Sequence, residues 1–307
     1  MEKYTCNFIK IDVTNSCNLS CPLCPNSYRR KDIKIPYKNM SLSEFIKFFD
    51  NLQIYPQEIG LGVNHEPLLN NNIFDIIKFI NNRNKKINIT LSTNFTLSNK
   101  FKIETIVESG IRDIFIGLDG IDQESYSKYR VGGNFDSVID SIKKIQEYKK
   151  QKKLEFPQIK IIFIVFKHNE DLIDKAKELF NSLEISVFFR RTDFYSGFED
   201  WFPIKFKQIN FNEDRTPMQD NKIDAICMEP FSSVTIDSFG NVYPCCGDGA
   251  FDFVVGNIFK DSFENIWVNK KMCDIRHFLQ KRCNIKDIPC INCPIYKQDN
   301  SNIAIKL

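Results

Sequence analysis

The chain has 307 residues, 42% of them hydrophobic and 26% charged, with a net charge of +3 and a pI near 8.2. These proportions suit a soluble globular chain with one large domain, or a domain and a smaller appendage. They fall short of the pI above about 9 expected of a dedicated nucleic-acid binder, and no apolar run reaches the roughly 18 residues that span a membrane. The opening "MEKYTCNFIKIDV" has no apolar signal-peptide core. A cytoplasmic protein without nucleic-acid or membrane partners is therefore expected. In that setting its 11 cysteines read as metal-binding or catalytic thiols rather than as a disulfide framework.

Strand and helix signals alternate through the first two-thirds of the chain. "FIKIDV" (8–13) alternates as a strand does. "SLSEFIKFFDNL" (41–52) opens on Ser41 and Glu44, a capping box, and continues with helical apolar spacing. Strands are predicted at 57–62, 87–92 and 113–118, and helices at 72–83 and 100–110, the latter stopped by Gly110. "FDSVIDSIKKIQEYKK" (135–150) is an amphipathic helix with Asn134 as its cap. "QIKIIFIVF" (158–166) has the continuous apolar character of a parallel strand covered on both faces. A helix (171–183) and a sixth strand (185–189) follow.

Six βα-type units in series predict an α/β domain with a parallel sheet, either a partial (β/α)6 TIM-like barrel or an open doubly wound sheet. In both, ligands bind at the carboxyl ends of the strands. The unusual residues gather there: Cys17–Cys24 after strand one, "VNHEP" (63–67) after strand two, "STN" (92–94) after strand three, "GLDG" (117–120) at strand four, "KHNE" (167–170) after strand five and "RRTD" (190–193) after strand six. From about residue 215 the pattern changes. A hairpin is predicted in "SSVTIDSFGNVYPCC" (232–246), then helices at 262–268 and about 270–280. Cysteines recur at 227, 245, 246, 273, 283, 290 and 293. Two parts are expected, 1–214 and 215–307, the second a small cysteine-rich α+β unit stapled by metal.

"CNLSCPLC" sets Cys17, Cys21 and Cys24 in a C-x3-C-x2-C array. Structural zinc sites and fully ligated iron–sulfur clusters take four protein ligands, so three leave one metal position open for a substrate or cofactor. The stretch reads as a three-thiolate [4Fe–4S] site with one free iron. A zinc knuckle with a distant fourth ligand is the alternative.

C-x3-C-x2-C after a first strand resembles the signature of the radical S-adenosylmethionine (SAM) enzymes. "NHEPLL" (64–69) is similar to that family's Gly-Glu-Pro motif, "LSTN" (91–94) to its Thr-Asn segment, and residues 116–145 to its strand-four segment. Cys227, Gly240-x4-Cys245, "VVGNIFKDSFENIW" (254–267) and Cys290-x2-Cys293 resemble the family's SPASM extension in its shortened "twitch" form. The resemblance implies a first cluster on Cys17, Cys21 and Cys24 with SAM at the open iron. It also implies one auxiliary [4Fe–4S] cluster on Cys227, Cys245, Cys290 and Cys293. Cys246, Cys273 and Cys283 are left over, with Cys246 and Cys283 the alternatives for one ligand; a zinc half-site is the alternative for the terminal pair.

The implied chemistry is one-electron reduction of SAM to a 5′-deoxyadenosyl radical that takes hydrogen from the substrate, with the protein orienting and tuning. For SAM, the resemblance points to His65, Glu66, Pro67, Ser92, Thr93, Asn94, Gly117, Asp119, Arg130 and Asn169. Glu66 would hold the ammonium group and Arg130 the carboxylate. His65 stands where the family has glycine, and Gly117 where relatives often have serine. Asp119 also reads as a turn former, and Asn169 as a helix cap. For the substrate, Arg190, Arg191 and Asp193 at the end of strand six are the candidates; strand alternation sends the two arginines to opposite faces.

The favoured reading is an oxidoreductase resembling the aminocyclitol dehydrogenases, acting on a sugar-like alcohol and supplied by a low-potential donor such as flavodoxin or ferredoxin. A peptide-modifying maturase, resembling the anaerobic sulfatase-maturating enzymes, is the alternative. A non-catalytic electron-transfer or zinc module is a third reading, and RNA modification a fourth.

Overall fold

The computed structural model describes residues 4–28, 35–53, 55–191, 199–206, 227–247, 251–281, 285 and 287–293. In chain order these form β1 (Phe8–Ile11), α1 (Pro25–Tyr28), α2 (Leu42–Asp50), β2 (Glu58–Leu61), α3 (Ile73–Arg83), β3 (Asn88–Thr93), α4 (Ile103–Val107), β4 (Asp113–Gly117), α5 (Gln123–Ser127), α6 (Phe135–Lys152), β5 (Gln158–Val165), α7 (Ile173–Ser182), β6 (Ser186–Arg191), α8 (Glu229–Ser232), β7 (Ser233–Ile236), β8 (Asn241–Tyr243), β9 (Gly256–Asn257), α9 (Phe263–Trp267) and α10 (Lys270–Lys281). Short 3-10 turns cover 67–69, 98–100, 170–172, 199–201 and 289–292. Among the described residues no helix is long and apolar enough to cross a membrane.

The strands form one nine-stranded sheet in the order β6-β5-β4-β3-β2-β1-β7-β8-β9. Pairings from β6 through β7 are all parallel; β7–β8 and β8–β9 are antiparallel. The sheet is open, with β6 and β9 at its edges, so the partial-barrel expectation holds. The hairpin predicted near 232–246 forms. It does not stand apart, however: β7 lies directly against β1, with Phe8 opposite Ser233 and Lys10 opposite Thr235. The cysteine-rich segment thus continues the main sheet. The expected boundary at 214/215 falls outside the described residues.

One face of the sheet is dry. Ile9, Ile59 and Ile89 share a register, as do Ile11, Leu61 and Leu91, and all are at most 1% exposed. Helices supply the other half of this core, chiefly Phe45 and Phe49 of α2, Ile76, Ile77 and Ile80 of α3, and Ile142 of α6. Phe45, Phe49 and Phe79 pack with ring centroids 5.4–6.2 Å apart. Alternation then puts Lys10, Gly60 and Thr90 on the opposite face. Gly60 is required there, because a Cβ would press into the Phe8 ring at 2.9 Å.

Local signals hold at two helix starts. Ser41 and Glu44 make the predicted capping box, and Asn134 accepts from the Ser137 N–H of α6. The helix expected over 100–110 is shorter, a 3-10 turn followed by α4, and Gly110 beyond it has φ +89°.

Arg276 of α10 fastens the last helices. Its Nε donates to Pro230 O at 2.8 Å and its Nη1 to Trp267 O at 2.7 Å, and its guanidinium lies 4.0 Å from the Trp267 ring centroid. Arg276→Met leaves two carbonyls without these donors, at about 1–3 kcal/mol each when buried. A loss of about 2–4 kcal/mol in denaturant-unfolding stability is expected, with Arg276→Lys recovering only part of it because one ammonium cannot copy the planar fork.

Candidate functional site

The carboxyl end of β1 runs into the cysteine loop. Cys21 is buried, Cys17 and Cys24 are half-buried, and Cys24 N–H donates to Cys21 O at 3.0 Å. Leu19, Leu23, Tyr129 and Phe166 surround the thiols, with Trp201 at the margin. Cys17 Sγ accepts from its own loop, Leu19 N–H at 3.5 Å, and from Asn94 Nδ2 at 3.7 Å. Burial pushes the Cys17 thiol up, and Cys21 up to about 11, against the lowering pull of Arg130. Thiols held this way stay protonated at neutral pH until a metal displaces the proton. Among the described residues no three metal-binding side chains converge tightly enough for a single ion. Three thiols in an apolar collar, with two N–H groups aimed at Cys17 Sγ, are the donor set that an iron–sulfur cluster takes.

The loops after β2 and β3 lock onto this loop through Glu66. Its N–H donates to Ser16 O at 3.0 Å. Its carboxylate, 1% exposed, accepts from Leu68 N–H at 3.0 Å, Thr93 Oγ1 at 2.6 Å and Asn94 N–H at 2.8 Å. Burial raises its pKa against these three donors. Glu66, Pro67, Thr93 and Asn94 are thus gathered beside Cys17, with Asn94 in contact with its sulfur. Pro67 packs against Gly62, whose φ of +81° shapes the turn. Ser92 is exposed on the polar face beside them. His65 turns elsewhere: its Nδ1 lies 3.2 Å from Asp12 Oδ2, and its side chain is 5% exposed. Asp12 also accepts from Val63 N–H at 2.8 Å and Asn64 N–H at 3.1 Å. Asp12 carried no motif, and only its place one residue beyond the strand marked it.

At the end of β4, Asp119 and Arg130 form a buried ion pair, Nε to Oδ2 at 2.5 Å. Asp119 also accepts from Ile164 N–H at 2.6 Å. Burial raises the Asp119 carboxyl, and Arg130 with the Ile164 N–H pulls it back; Asp119 raises Arg130 in turn. Asp119 is therefore a tie between β4, β5 and Arg130 rather than a plain turn former. Arg130 fills the space that Gly117 leaves: a Cβ at 117 would come within 2.3 Å of its Nη2. Asn169 does not cap the following turn with its side chain. It accepts from Phe166 N–H at 2.7 Å and donates to Asp119 O at 2.9 Å and Ile164 O at 3.0 Å.

Arg190 lies opposite Ile164 and Arg191 opposite Val165. Val165 is buried in the dry core, so Arg190 belongs to the polar face, where it is exposed. Asp193 and Cys283 lie outside the described residues. A cavity of about 540 Å³ opens nearby, lined by Lys128, Lys167, His168, Asp200 and Trp201. His168 stacks on Phe166, and burial with Lys128 lowers its pKa.

The second cysteine set gathers below α8 and β8. Cys227, Cys245, Cys290 and Cys293 are half-buried, and the neighbouring thiols act on one another: Cys293 and Cys246 on Cys227, Cys290 and Cys246 on Cys245. Burial pushes Cys245 and Cys290 each up to about 12. Here too the thiols fit an iron–sulfur cluster. Cys246, left over in the sequence, belongs to this group. Cys273 stands apart, its Sγ 3.4 Å from Val268 O.

Residues 11–180 match the model of the radical SAM superfamily, and residues 227–294 the model of the SPASM iron–sulfur cluster-binding domain. A GTP 3′,8-cyclase of Alkaliphilus oremlandii is 28% identical over 44% of this chain, and the match spans 42% of that relative's length. The S-adenosyl-L-methionine-dependent 2-deoxy-scyllo-inosamine dehydrogenase of Niallia circulans is 22% identical over 94% of this chain and 92% of its own. The crystal structure of Streptococcus suis SuiB bound to S-adenosylmethionine superposes with a TM-score of 0.70 at 14% identity, over 96% of this chain and 72% of that one.

Gly117→Ser is expected to cost about 1–3 kcal/mol by overpacking against Arg130. The cost should shrink in an Arg130→Ala background, and a double-mutant cycle on unfolding free energies measures that coupling. His168 has a folded pKa below the ordinary value near 6.5. The unfolded chain therefore takes up its proton first as pH falls. Stability from this group is present above about pH 6.5 and is lost below it. Wild type should lose stability relative to His168→Gln between about pH 7.5 and 5.5.

Proposed function

The chain belongs to the radical SAM superfamily, and we propose that it is an oxidoreductase that converts an alcohol of a small polyhydroxylated substrate to a ketone. Its domains bring a [4Fe–4S] cluster, SAM and an auxiliary iron–sulfur cluster. When bound, these groups would supply the redox chemistry: hydrogen-atom abstraction at the site held by Cys17, Cys21 and Cys24, and at the second cysteine set an acceptor for the further electron that ketone formation sheds.

The observation that carries the reading is the position of β1. Its carboxyl end bears the first cysteine loop, and Lys10 in its middle reaches Cys246 of the second set at 3.5 Å. The two cysteine sets are thus joined through one strand, β1. That arrangement suits a two-electron oxidation performed in two one-electron parts. Near full-length similarity to the 2-deoxy-scyllo-inosamine dehydrogenase points the same way.

In this reading Cys17, Cys21 and Cys24 hold the first cluster, and Cys227, Cys245, Cys290 and Cys293 the second, in a 1–214 and 215–307 organisation. Glu66 acts through the turn it holds: three donors occupy its carboxylate, so the Thr93–Asn94 turn stays against Cys17. Ser92, Gly117 and Arg130 line the SAM side, with Asp119 and Asn169 fixing Arg130 and the β5 end. His65 and Pro67 set the backbone of the loop. Arg190 receives the polar substrate; of the other two candidates, Arg191 shares its register with buried Val165 and Asp193 lies outside the described residues. A low-potential flavodoxin or ferredoxin is the proposed donor, in a cytoplasmic setting that keeps the thiols reduced.

The test uses anaerobically reconstituted protein. About eight irons per chain are expected in wild type and about four in the Cys17/Cys21/Cys24→Ala variant. With SAM and dithionite, 5′-deoxyadenosine should form from wild type alone, and a panel of aminocyclitols and sugar alcohols should yield a ketone. Zinc in place of iron, or iron without SAM cleavage, defeats the reading. Turnover that depends on a peptide instead selects the maturase alternative.

A further inference from the structure

Lys10 is a charged residue in the middle of a central strand, and it is only 8% exposed. No motif called for it. Its Nζ lies 2.5 Å from Glu229 Oε2, 3.5 Å from Ser233 Oγ and 3.5 Å from Cys246 Sγ. Ser233 Oγ donates to Glu229 Oε2 at 2.7 Å, so the carboxylate is held on two sides. The ammonium also lies 5.2 Å from the Phe8 ring centroid. Three elements are needed to build this contact: β1 gives Lys10, α8 gives Glu229, and the segment after β8 gives Cys246. Parallel pairing of β7 with β1 brings them together.

Burying an ammonium is costly without compensation. One carboxylate would satisfy that need. The further contact with a thiol beside Cys245 is not required for it, and it sets a positive charge against the second cysteine group. Reducing an iron–sulfur cluster adds one negative charge, which a nearby cation and an N–H···S bond stabilise.

We propose that Lys10 is a positioning residue of the auxiliary cluster that raises its reduction potential, and that Glu229 opposes it as a counter-charge. This rests on the oxidoreductase reading, in which that cluster accepts an electron. The pair then works as an adjustable charge: the ammonium favours the reduced cluster, and the carboxylate limits how far. The proposed step is a plain one-electron reduction of the cluster, with the electron from the substrate radical and the proton left to solvent.

The test isolates the cluster. The full chain carrying Cys17/Cys21/Cys24→Ala retains only the second site, whose midpoint potential is read by electron paramagnetic resonance during a redox titration. Lys10→Met should shift the reduction equilibrium at fixed potential at least tenfold toward the oxidised form, about 59 mV downward for one electron. Glu229→Gln should shift it upward, and Lys10→Arg should stay near the parent. Opposite signs from the two partners are what a merely structural contact does not produce. Unchanged potentials, or shifts of one sign in both, overturn the proposal while leaving the oxidoreductase reading intact. Failure of the parent variant to hold iron at all defeats both. If Lys10→Met does not fold, the Glu229→Gln and Lys10→Arg potentials decide the matter.

Discussion

Parallel pairing on both sides of β1 is the constraint from which the rest of the molecule follows. A parallel strand cannot reach its neighbour by a tight turn and needs a long crossover. β1 pairs with β2, about fifty residues downstream, and with β7, more than two hundred residues downstream. The cysteine-rich end of the chain is therefore not a free appendage. It pairs with the first strand, and the remaining βα units extend the sheet on the other side, beyond β2. Two cysteine groups far apart in sequence come to flank one short strand, FIKI. The dry residues Ile9 and Ile11 fix that strand to the helices. Lys10 between them faces the other way by the alternation of the pleat alone.

The polar face is held by carboxylates that spend themselves inside the protein. Glu66, Asp12 and Asp119 are all at most 1% exposed; Glu66 and Asp12 accept backbone N–H bonds from loops at the strand ends, and Asp119 accepts one from Ile164 of β5. A buried carboxylate that lost its donors would be expensive, so these loops move only together. Such a frame suits a site that must hold reacting atoms at close and constant separation. It also explains why the sequence motifs look like ligand-binding segments while their acidic side chains point into the structure: part of their role is to fix the backbone that meets the ligand.

Much of this was legible in the residues. Periodicity located the six βα units, Ser41 with Glu44 and Asn134 announced helix starts, and the strand ends held the unusual residues. What remained hidden depended on distant pairing. Lys10 looked like an ordinary strand lysine, because nothing within ten residues shows that Glu229 and Cys246 will reach it. Asp12 had no motif. Cys246 seemed left over because spacing alone cannot say which of two adjacent thiols faces a neighbouring strand. Asn169 carried a good cap residue type, yet its side chain makes three other bonds, since the turn at 170–172 sits against Asp119 and leaves it stronger partners.

Gly117 and Arg130 show how one position of such a site depends on another. Taken alone, a glycine on β4 subtracts a side chain from the cofactor side. With Arg130 in view the glycine becomes a requirement, because the guanidinium occupies the volume a Cβ would take. Asp119 pins that guanidinium from the same loop, and Asn169 holds Asp119's carbonyl from the next strand. The result is a fixed, fully ionised fork. A fork buried beside the thiol loop offers both a partner for a carboxylate and a positive charge toward Cys21, which Arg130 draws downward against burial. A side chain at 117 therefore displaces Arg130 from its place beside Asp119.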